Sequence, residues 1–394
     1  MTVFDRLDAT INLSEEEAIL LSAVQRLAEN VIKPNAPAYD ESGQFPWDHV
    51  RKINELGLNA MFIPAAYGGA GLSYTAYLAV CRELAKACAS TAIIWATNFH
   101  AASPLVDFGN EAQKNKWLPI LAEGGLAALA LTEAGAGSDA TAMKTQFDPD
   151  GEDIVINGAK TFITNGDVCD LLLLFGKWRP MGTGRDAISL LVVEKGTPGF
   201  DVVRTENKMG LRASSTAALA FTDCRVPRGN LIGDPGAGLK LLFEFLNKSR
   251  PSVAAHALGI ARAAFDDAVS YVNQREQFKR RIIDFQGIQF LLADAGTDLA
   301  LCESWLWQLA RRIEAGEKNL GQEASMLKMR ASDIAMRIST DAVQLHGGYG
   351  YTKDFRVERL MRDAKITQIW EGTNQVHRQI IGRSFIAEKR KPNP

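Results

Sequence analysis

What most limits the fold of this chain is a change of hydrophobic period that happens twice. Up to about residue 125 apolar residues recur at helical spacing, between 126 and 235 they fall into short β-rich runs, and from 236 the helical spacing returns. A helical, then β, then helical order is an uncommon arrangement. It predicts an α+β protein with an N-terminal helical domain (1–125), a middle antiparallel β domain that is sandwich- or barrel-like (126–235), and a C-terminal four-helix-bundle-like domain (236–394).

Local signals support each part. In "SEEEAILLSAVQRLAENVI" Ser14 and Glu17 are spaced as a capping box, with Ile19, Leu20, Ala23, Leu27 and Val31 on one helical face. Helical patterns continue through "PWDHVRKINELGL", "SYTAYLAVCRELAKA" and "NEAQKNKWLPILAEG", broken by the glycine-rich turn "PAAYGGAGL". The middle part reads as strands: "EDIVINGAKTFITNG", with Asp150-Gly151 and Asn157-Gly158 as turn signals, then "CDLLLLFGKW", "AISLLVVEK", "FDVVRTE" and "TAALAFTDCRVP". Further on, Ala324, Leu327, Ala331, Ile334, Ile338, Ala342 and Leu345 mark one face of a long helix that Gly347-Gly348 ends. Small residues on such a face allow close packing, in a bundle or between subunits.

Composition narrows the function classes. Of 394 residues, 46% are hydrophobic, enough for several cores, and the 44 Lys and Arg are dispersed among 46 Asp and Glu. Without basic blocks there is no footprint for nucleic acid. Five cysteines without CxxC spacing and five histidines without HExxH point to no disulfide framework and no metal site, and to a reducing compartment. The opening "MTVFDRLDATINL" has no continuous apolar core, and no later run reaches ~18 apolar residues, so a cytoplasmic protein with no membrane insertion is expected.

Two glycine motifs mislead. G-x-G-x-x-A at Gly135 to Ala140 is followed by a turn and a hairpin where a dinucleotide fold needs a helix and a parallel strand. "GDPGAGLK" has Leu239 where a phosphate-binding loop needs lysine. "TEAGAGS" is then either a surface of free backbone N–H groups for a polar ring or phosphate, or a tight connection between domains. Glu371, in "DAKITQIWEGTNQVHRQIIG", is either a solvated loop carboxylate or a base. Burial beside Trp370 would raise its pKa toward that of a useful base, and the following Thr373 looks like a helix cap.

Six strings, in order, resemble the acyl-CoA dehydrogenase family: "LTEAGAGSDA", "INGAKTFITNG", "KMGLRASSTAALAFTDCRVP", "NKSRPSVAAHALGIAR", "NQREQFKRRIIDFQGIQFLLAD" and "QLHGGYGYTKDFRVERLMRDAKITQIWEGTNQ". The resemblance covers nearly the whole chain. It implies a homotetramer, a dimer of dimers, with one FAD per subunit. Leu131, Thr132, Ser138, Phe162 and Thr164 match the family's flavin contacts. Arg275, Phe278, Gln344 and Gly348 match residues that the neighbouring subunit brings to the FAD diphosphate and adenosine, and Thr373 and Gln375 match further cofactor contacts. Ser138 also matches a position near the CoA portion of the substrate, and Arg250, Trp370 and Gly372 fall at substrate-side positions.

Glu371 matches the catalytic base. An α-hydrogen of a thioester is a weak acid, so its removal requires the carbonyl to be polarised at the same moment. By resemblance the backbone N–H of the base and a flavin ribityl hydroxyl do this, hydride leaves the β-carbon for flavin N5, and a trans-2-enoyl-CoA results. The implied electron acceptor is electron-transferring flavoprotein.

Departures from the pattern carry expectations of their own. Ala134 replaces a frequent proline, which should loosen its loop, and Lys279 replaces a frequent glycine near a subunit contact. Relatives that carry the base just before the arginine matched by Arg250 have an acid where this chain has Ser249, which leaves Glu371 as the base. Trp95, Phe99 and His100 either narrow the acyl pocket toward short, branched or cyclic groups or pack the core. Other activities on this fold are enoyl-CoA reduction, flavin-dependent oxidation or monooxygenation, and a nucleic-acid-associated role. The glutamate opposes the oxygen-using readings, and the near-neutral charge opposes the last.

Overall fold

The computed structural model describes residues 2–388. Its N-terminal part consists of α1 (Val3–Asp8), α2 (Glu15–Leu27), α3 (Lys33–Ser42), α4 (Trp47–Glu55), α5 (Tyr74–Ala87), α6 (Ala89–Phe108) and α7 (Glu111–Ala122). The expected capping box opens α2: Ser14 accepts from Glu17 N, and the Glu17 carboxylate accepts from Ser14 N at 2.9 Å. The same carboxylate accepts from Ser73 N at 2.7 Å, so one side chain ties the starts of α2 and α5 together.

The middle part is an eight-stranded sheet. It contains β1 (Ala127–Ala130), β2 (Gln146–Asp150), β3 (Asp153–Thr164), β4 (Leu171–Trp178), β5 (Ile188–Glu194), β6 (Phe200–Thr205), β7 (Thr216–Pro227) and β8 (Leu231–Ile232). The order is β6-β7-β3-β2-β4-β5-β8, with β1 on β4. Most pairs are antiparallel, as the short strands and turns predict, while β1 and β2 each lie parallel to β4. Asp150-Gly151 makes the β2–β3 turn, with Asp150 opposite Asp153. Asn157-Gly158 does not separate two strands: β3 runs through it, and the register against β7 shifts between Ile156 and Gly158. The extra residue lies on β7, where Asp223 takes φ 47°; Gly158, at φ 155°, stands opposite it, and a Cβ there would lie 2.5 Å from Thr145 Oγ1, so glycine is needed for the close cover.

The C-terminal part begins with the 37-residue helix α8 (Gly238–Gln274). It continues through a hairpin, β9 (Glu276–Gln277) and β10 (Arg280–Arg281), to α9 (Gln286–Glu314), α10 (Gly321–His346), α11 (Val357–Thr367) and α12 (Asn374–Glu388). All seven residues of the anticipated α10 face are buried, and Gly347, at φ 60°, ends the helix. Small residues bring helices close as expected: a Cβ at Gly259 of α8 would lie 2.4 Å from Arg82 O of α5. A buried ion cluster pins this junction, with Arg82 Nη1 2.7 Å from Asp8, and Arg262 Nε 2.9 Å from Glu303 on α9. The five cysteines are free and buried. Among the described residues no helix is long and apolar enough to cross a membrane.

Candidate active site

α11 stops at Thr367, and the chain reverses through a turn in which Glu371 takes φ 53° and Gly372 φ 95°. A left-handed backbone costs a side-chain-bearing residue about 1–2 kcal/mol, so something must hold Glu371 there. The holding comes from α10. Lys328 Nζ donates to Gly372 O at 2.7 Å and to Asn374 Oδ1 at 3.2 Å. Asn374 Nδ2 donates to Ser332 Oγ at 2.9 Å and to Asp333 Oδ1 at 2.7 Å. Gln368 Nε2 reaches the same Asp333 oxygen at 2.7 Å, and Asn374 N donates to Gln368 O at 3.0 Å, which closes the turn. Thr373 caps α12 as its position predicts, its Oγ1 accepting from Val376 N at 3.3 Å.

The Glu371 carboxylate accepts a hydrogen bond from Ser249 Oγ at 2.8 Å. Residues 249 and 371 therefore meet at one place although 122 positions separate them. An acidic side chain on either would reach the same region, in keeping with the two positions for a base that the resemblance implies.

Charge around the turn is arranged with few carboxylates. Burial pushes the Lys328 ammonium down to about 7, opposed by Glu371 and assisted by the Arg250 guanidinium. Burial likewise lowers Arg250, with Glu371 opposing; its Nη1 donates to Ser325 Oγ at 3.1 Å and its Nε has no partner. Burial, then the charges of Lys328 and Arg250, hold His377 down to about 3, so its ring is neutral. The ring lies 3.2 Å from where a Cβ at Gly372 would be, so glycine there serves both the backbone turn and the imidazole.

Next to this polar group stands an aromatic wall. Tyr77 stacks on Phe99 with centroids 4.0 Å apart, Tyr74 stacks on Tyr77 at 5.8 Å, and Tyr77 and His100 both hydrogen-bond Ser252 Oγ, at 2.7 and 3.2 Å. Burial lowers His100 and raises Tyr77 far above its usual value, so both are neutral. Trp370 packs edge-on to His256 with centroids 5.4 Å apart. Trp95 backs the wall from the core side, its ring 5.1 Å from that of Tyr77 and its Nε1 donating to Leu58 O at 3.1 Å, so all three bulky α6 residues belong to this aromatic group.

The residues matched to cofactor contacts form two further groups. In the first, Thr161 N donates to Thr132 O at 2.9 Å and Lys160 Nζ donates to Leu131 O at 3.0 Å, which brings the "LTEAGAGS" loop against "TFITNG". Phe162 sits at a β3 bulge with φ 59° and is 64% exposed, two residues before Thr164. Ser138 is exposed on the loop. Ala134 leaves this loop closed: Glu133 and Ala136 exchange backbone bonds, and the Glu133 carboxylate accepts from Lys144 N at 2.6 Å, Thr145 N at 3.0 Å and the buried Lys160 Nζ at 2.8 Å.

In the second group, Arg275, Gln344 and Gly348 line a cavity of about 460 Å³ with Tyr271 and Gly347. Phe278 does not line it. It occupies the tip of the β9–β10 hairpin with φ 54°, beside Lys279 at φ 65°. Two successive left-handed residues make a tight hairpin turn, which explains why glycine suits position 279. Gln375 is exposed at the start of α12.

Sequence reasoning missed Lys328, Asn374, Tyr77 and Ser252. Lys328 left a signal, since a lysine four residues after Ala324 and three before Ala331 stands on a face that is otherwise apolar. Tyr77 and Ser252 left none, because their roles depend on how α5, α6 and α8 pack.

Three domain models match along the chain: "Acyl-CoA dehydrogenase, N-terminal domain" at residues 14–125, its middle domain at 128–224 and its C-terminal domain at 236–386. The chain is 40% identical over 378 residues to the short-chain-specific acyl-CoA dehydrogenase of Clostridium acetobutylicum, covering 95% of this chain and 99% of that protein. Butyryl-CoA dehydrogenase of Megasphaera elsdenii superposes with a TM-score of 0.92 at 38% identity, over 95% of this chain and 99% of that one. A chain solved in work on the electron transferring flavoprotein of Acidaminococcus fermentans matches with the same score and coverage at 40% identity. With the same fold, the same order of motifs and identity sustained from end to end, the protein belongs to the acyl-CoA dehydrogenase family.

Proposed function

We propose that the protein is an FAD-dependent acyl-CoA dehydrogenase in which Glu371 removes the α-proton of an acyl-CoA thioester, giving a trans-2-enoyl-CoA. The observation that carries this reading is the glutamate held in a left-handed turn, its flank bonded to Lys328 and its carboxylate met by Ser249. A solvated loop carboxylate has no need of such a frame. The family supplies the reaction class, and the butyryl-CoA dehydrogenase and short-chain-specific relatives favour a short acyl group.

The residues fit the cofactor. A guanidinium from Arg275, an amide from Gln344 and backbone at Gly347-Gly348 around one cavity suit a diphosphate. The exposed Phe162 ring beside Thr132 and Thr164 suits a planar heterocycle with polar edges. When bound, FAD supplies the acceptor for the hydride lost from the β-carbon. The chain's own part is to hold the thioester with its α-carbon at Glu371, to offer the Glu371 N–H to the thioester carbonyl, and to take the proton. Tyr77, Phe99 and Trp370 keep water from the acyl group. A homotetramer, delivery of electrons to electron-transferring flavoprotein and a cytoplasmic location complete the reading.

Glu371→Gln keeps the shape of the side chain and removes the base. The holoenzyme variant is expected to retain FAD and to bind thioester while kcat falls by about 10³-fold or more, about 4 kcal/mol of barrier. Near-normal turnover would refute the assignment.

A further inference from the structure

Lys328 is the least accounted-for charge near the turn. It is fully buried on α10, and its ammonium is directed to two neutral acceptors, Gly372 O and Asn374 Oδ1. A buried ammonium without a bonded carboxylate is among the more costly groups a core can hold. The charges that face it come from several elements: Glu371 on the turn and Asp333 on α10 favour its protonation, while Arg250 on α8 opposes it. Neutral His377 on α12 lies close by.

The direction of its bonds shows what the lysine does. Gly372 O belongs to the peptide immediately after the left-handed pair, so fixing that carbonyl fixes the C-terminal flank of Glu371. The N-terminal flank is fixed from the same helix, since Gln368 reaches Asp333. Lys328, Ser332 and Asp333 therefore grip the segment 368–374 at both ends from a single face of α10. Left-handed backbone at a glutamate relaxes toward ordinary regions when its ties are cut. The carboxylate would then swing away from Ser249 and from the α-carbon.

We propose that Lys328 is a positioning residue for proton abstraction: it clamps the turn so that the Glu371 carboxylate is aimed at the thioester, and it takes no part in binding FAD or substrate. This rests on Glu371 being the base. A charge-assisted bond to one carbonyl, lost, lets the turn sample other conformers and lowers the fraction of molecules with an aimed base.

The test uses FAD-loaded Lys328→Met and the acyl-CoA that wild-type enzyme oxidises fastest, with that thioester's 3-thia analogue as probe. The analogue has an acidic α-proton and no hydrogen at position 3, so a long-wavelength charge-transfer band on binding reports proton removal alone. Lys328→Met is expected to keep its FAD content and to bind the analogue within about threefold, while kcat and the band each fall at least tenfold. Lys328→Arg, which retains a cationic donor, is expected to recover part of both. Wild-type kcat and band in Lys328→Met would overturn the proposal, as would losses confined to FAD content or KM. Should Lys328→Met fail to fold, Asn374→Ala, which removes the second acceptor, is read in the same assay and must show the same kcat-specific loss. A wild-type protein that no acyl-CoA bleaches removes the base assignment itself, whereas an active wild type with an unaffected lysine variant removes only the clamp.

Discussion

At Glu371 the backbone conformation and the side-chain chemistry point the same way. A carboxylate on a loop ordinarily faces water. This one is half-buried, in a left-handed turn, and accepts from Ser249 Oγ at 2.8 Å. A hydrogen bond to a charged acceptor contributes about 1.5–3 kcal/mol, part of which water can replace. Ser249→Ala is accordingly expected to lower kcat about three- to tenfold with little change in KM, measured by steady-state oxidation of a short acyl-CoA. The sequence placed the glutamate before a helix cap, which Thr373 supplies, while the neighbouring indole packs on His256. The serine contact was not legible, because it depends on α8 and a turn more than a hundred positions later arriving at one place.

Among the elements, α8 does most to assemble the site. It carries Ser249, Arg250, Ser252 and His256 across Pro251, which has no N–H to give back to the preceding turn. Beside that interruption, Lys248 O accepts from Tyr74 OH of α5. Two turns on, Gly259 lets α8 approach α5. An alanine there would place Cβ 2.4 Å from Arg82 O and 2.7 Å from Ala85 Cβ. Gly259→Ala is therefore expected to destabilise by about 1–3 kcal/mol even though alanine favours a helix by about 1 kcal/mol, as read from urea midpoints. Helical and β texture could be read along the chain because period depends on local residues. The passage of β3 through Asn157-Gly158 could not, since a turn signal inside a strand is resolved only by the partner strand, which bulges opposite it, and by Thr145 above it. The parallel placement of β1 and β2 beside β4 is a matter of topology in the same way.

Across the whole molecule, neutral buried histidines make acid the condition to which the fold is most exposed. His256 donates from Nε2 to Ala89 O at 2.8 Å, and burial lowers its pKa from 6.5 to about 4, while that of His377 falls to about 3. Below pH 6.5 the unfolded chain takes up protons that the folded one refuses, so stability is lost as pH falls from about 6.5 toward 4. Asp363 works the other way between about 6 and 3.8, because burial raises its pKa and the folded state binds the proton first. Burial also lowers His49 and His100, so the histidines together outweigh the one aspartate, and a net loss of stability is expected as pH falls toward 4. Urea denaturation across that range, at fixed ionic strength, checks the sign, and His256→Asn should flatten the slope. The central claim, that this fold serves to desaturate a thioester, has a more direct test: anaerobic titration of the FAD-loaded protein with straight, branched, cyclic and dicarboxylic acyl-CoA thioesters. Bleaching of the flavin band by one acyl class, with an enoyl-CoA product, is the predicted result. A yellow protein that none of these thioesters bleaches would contradict it.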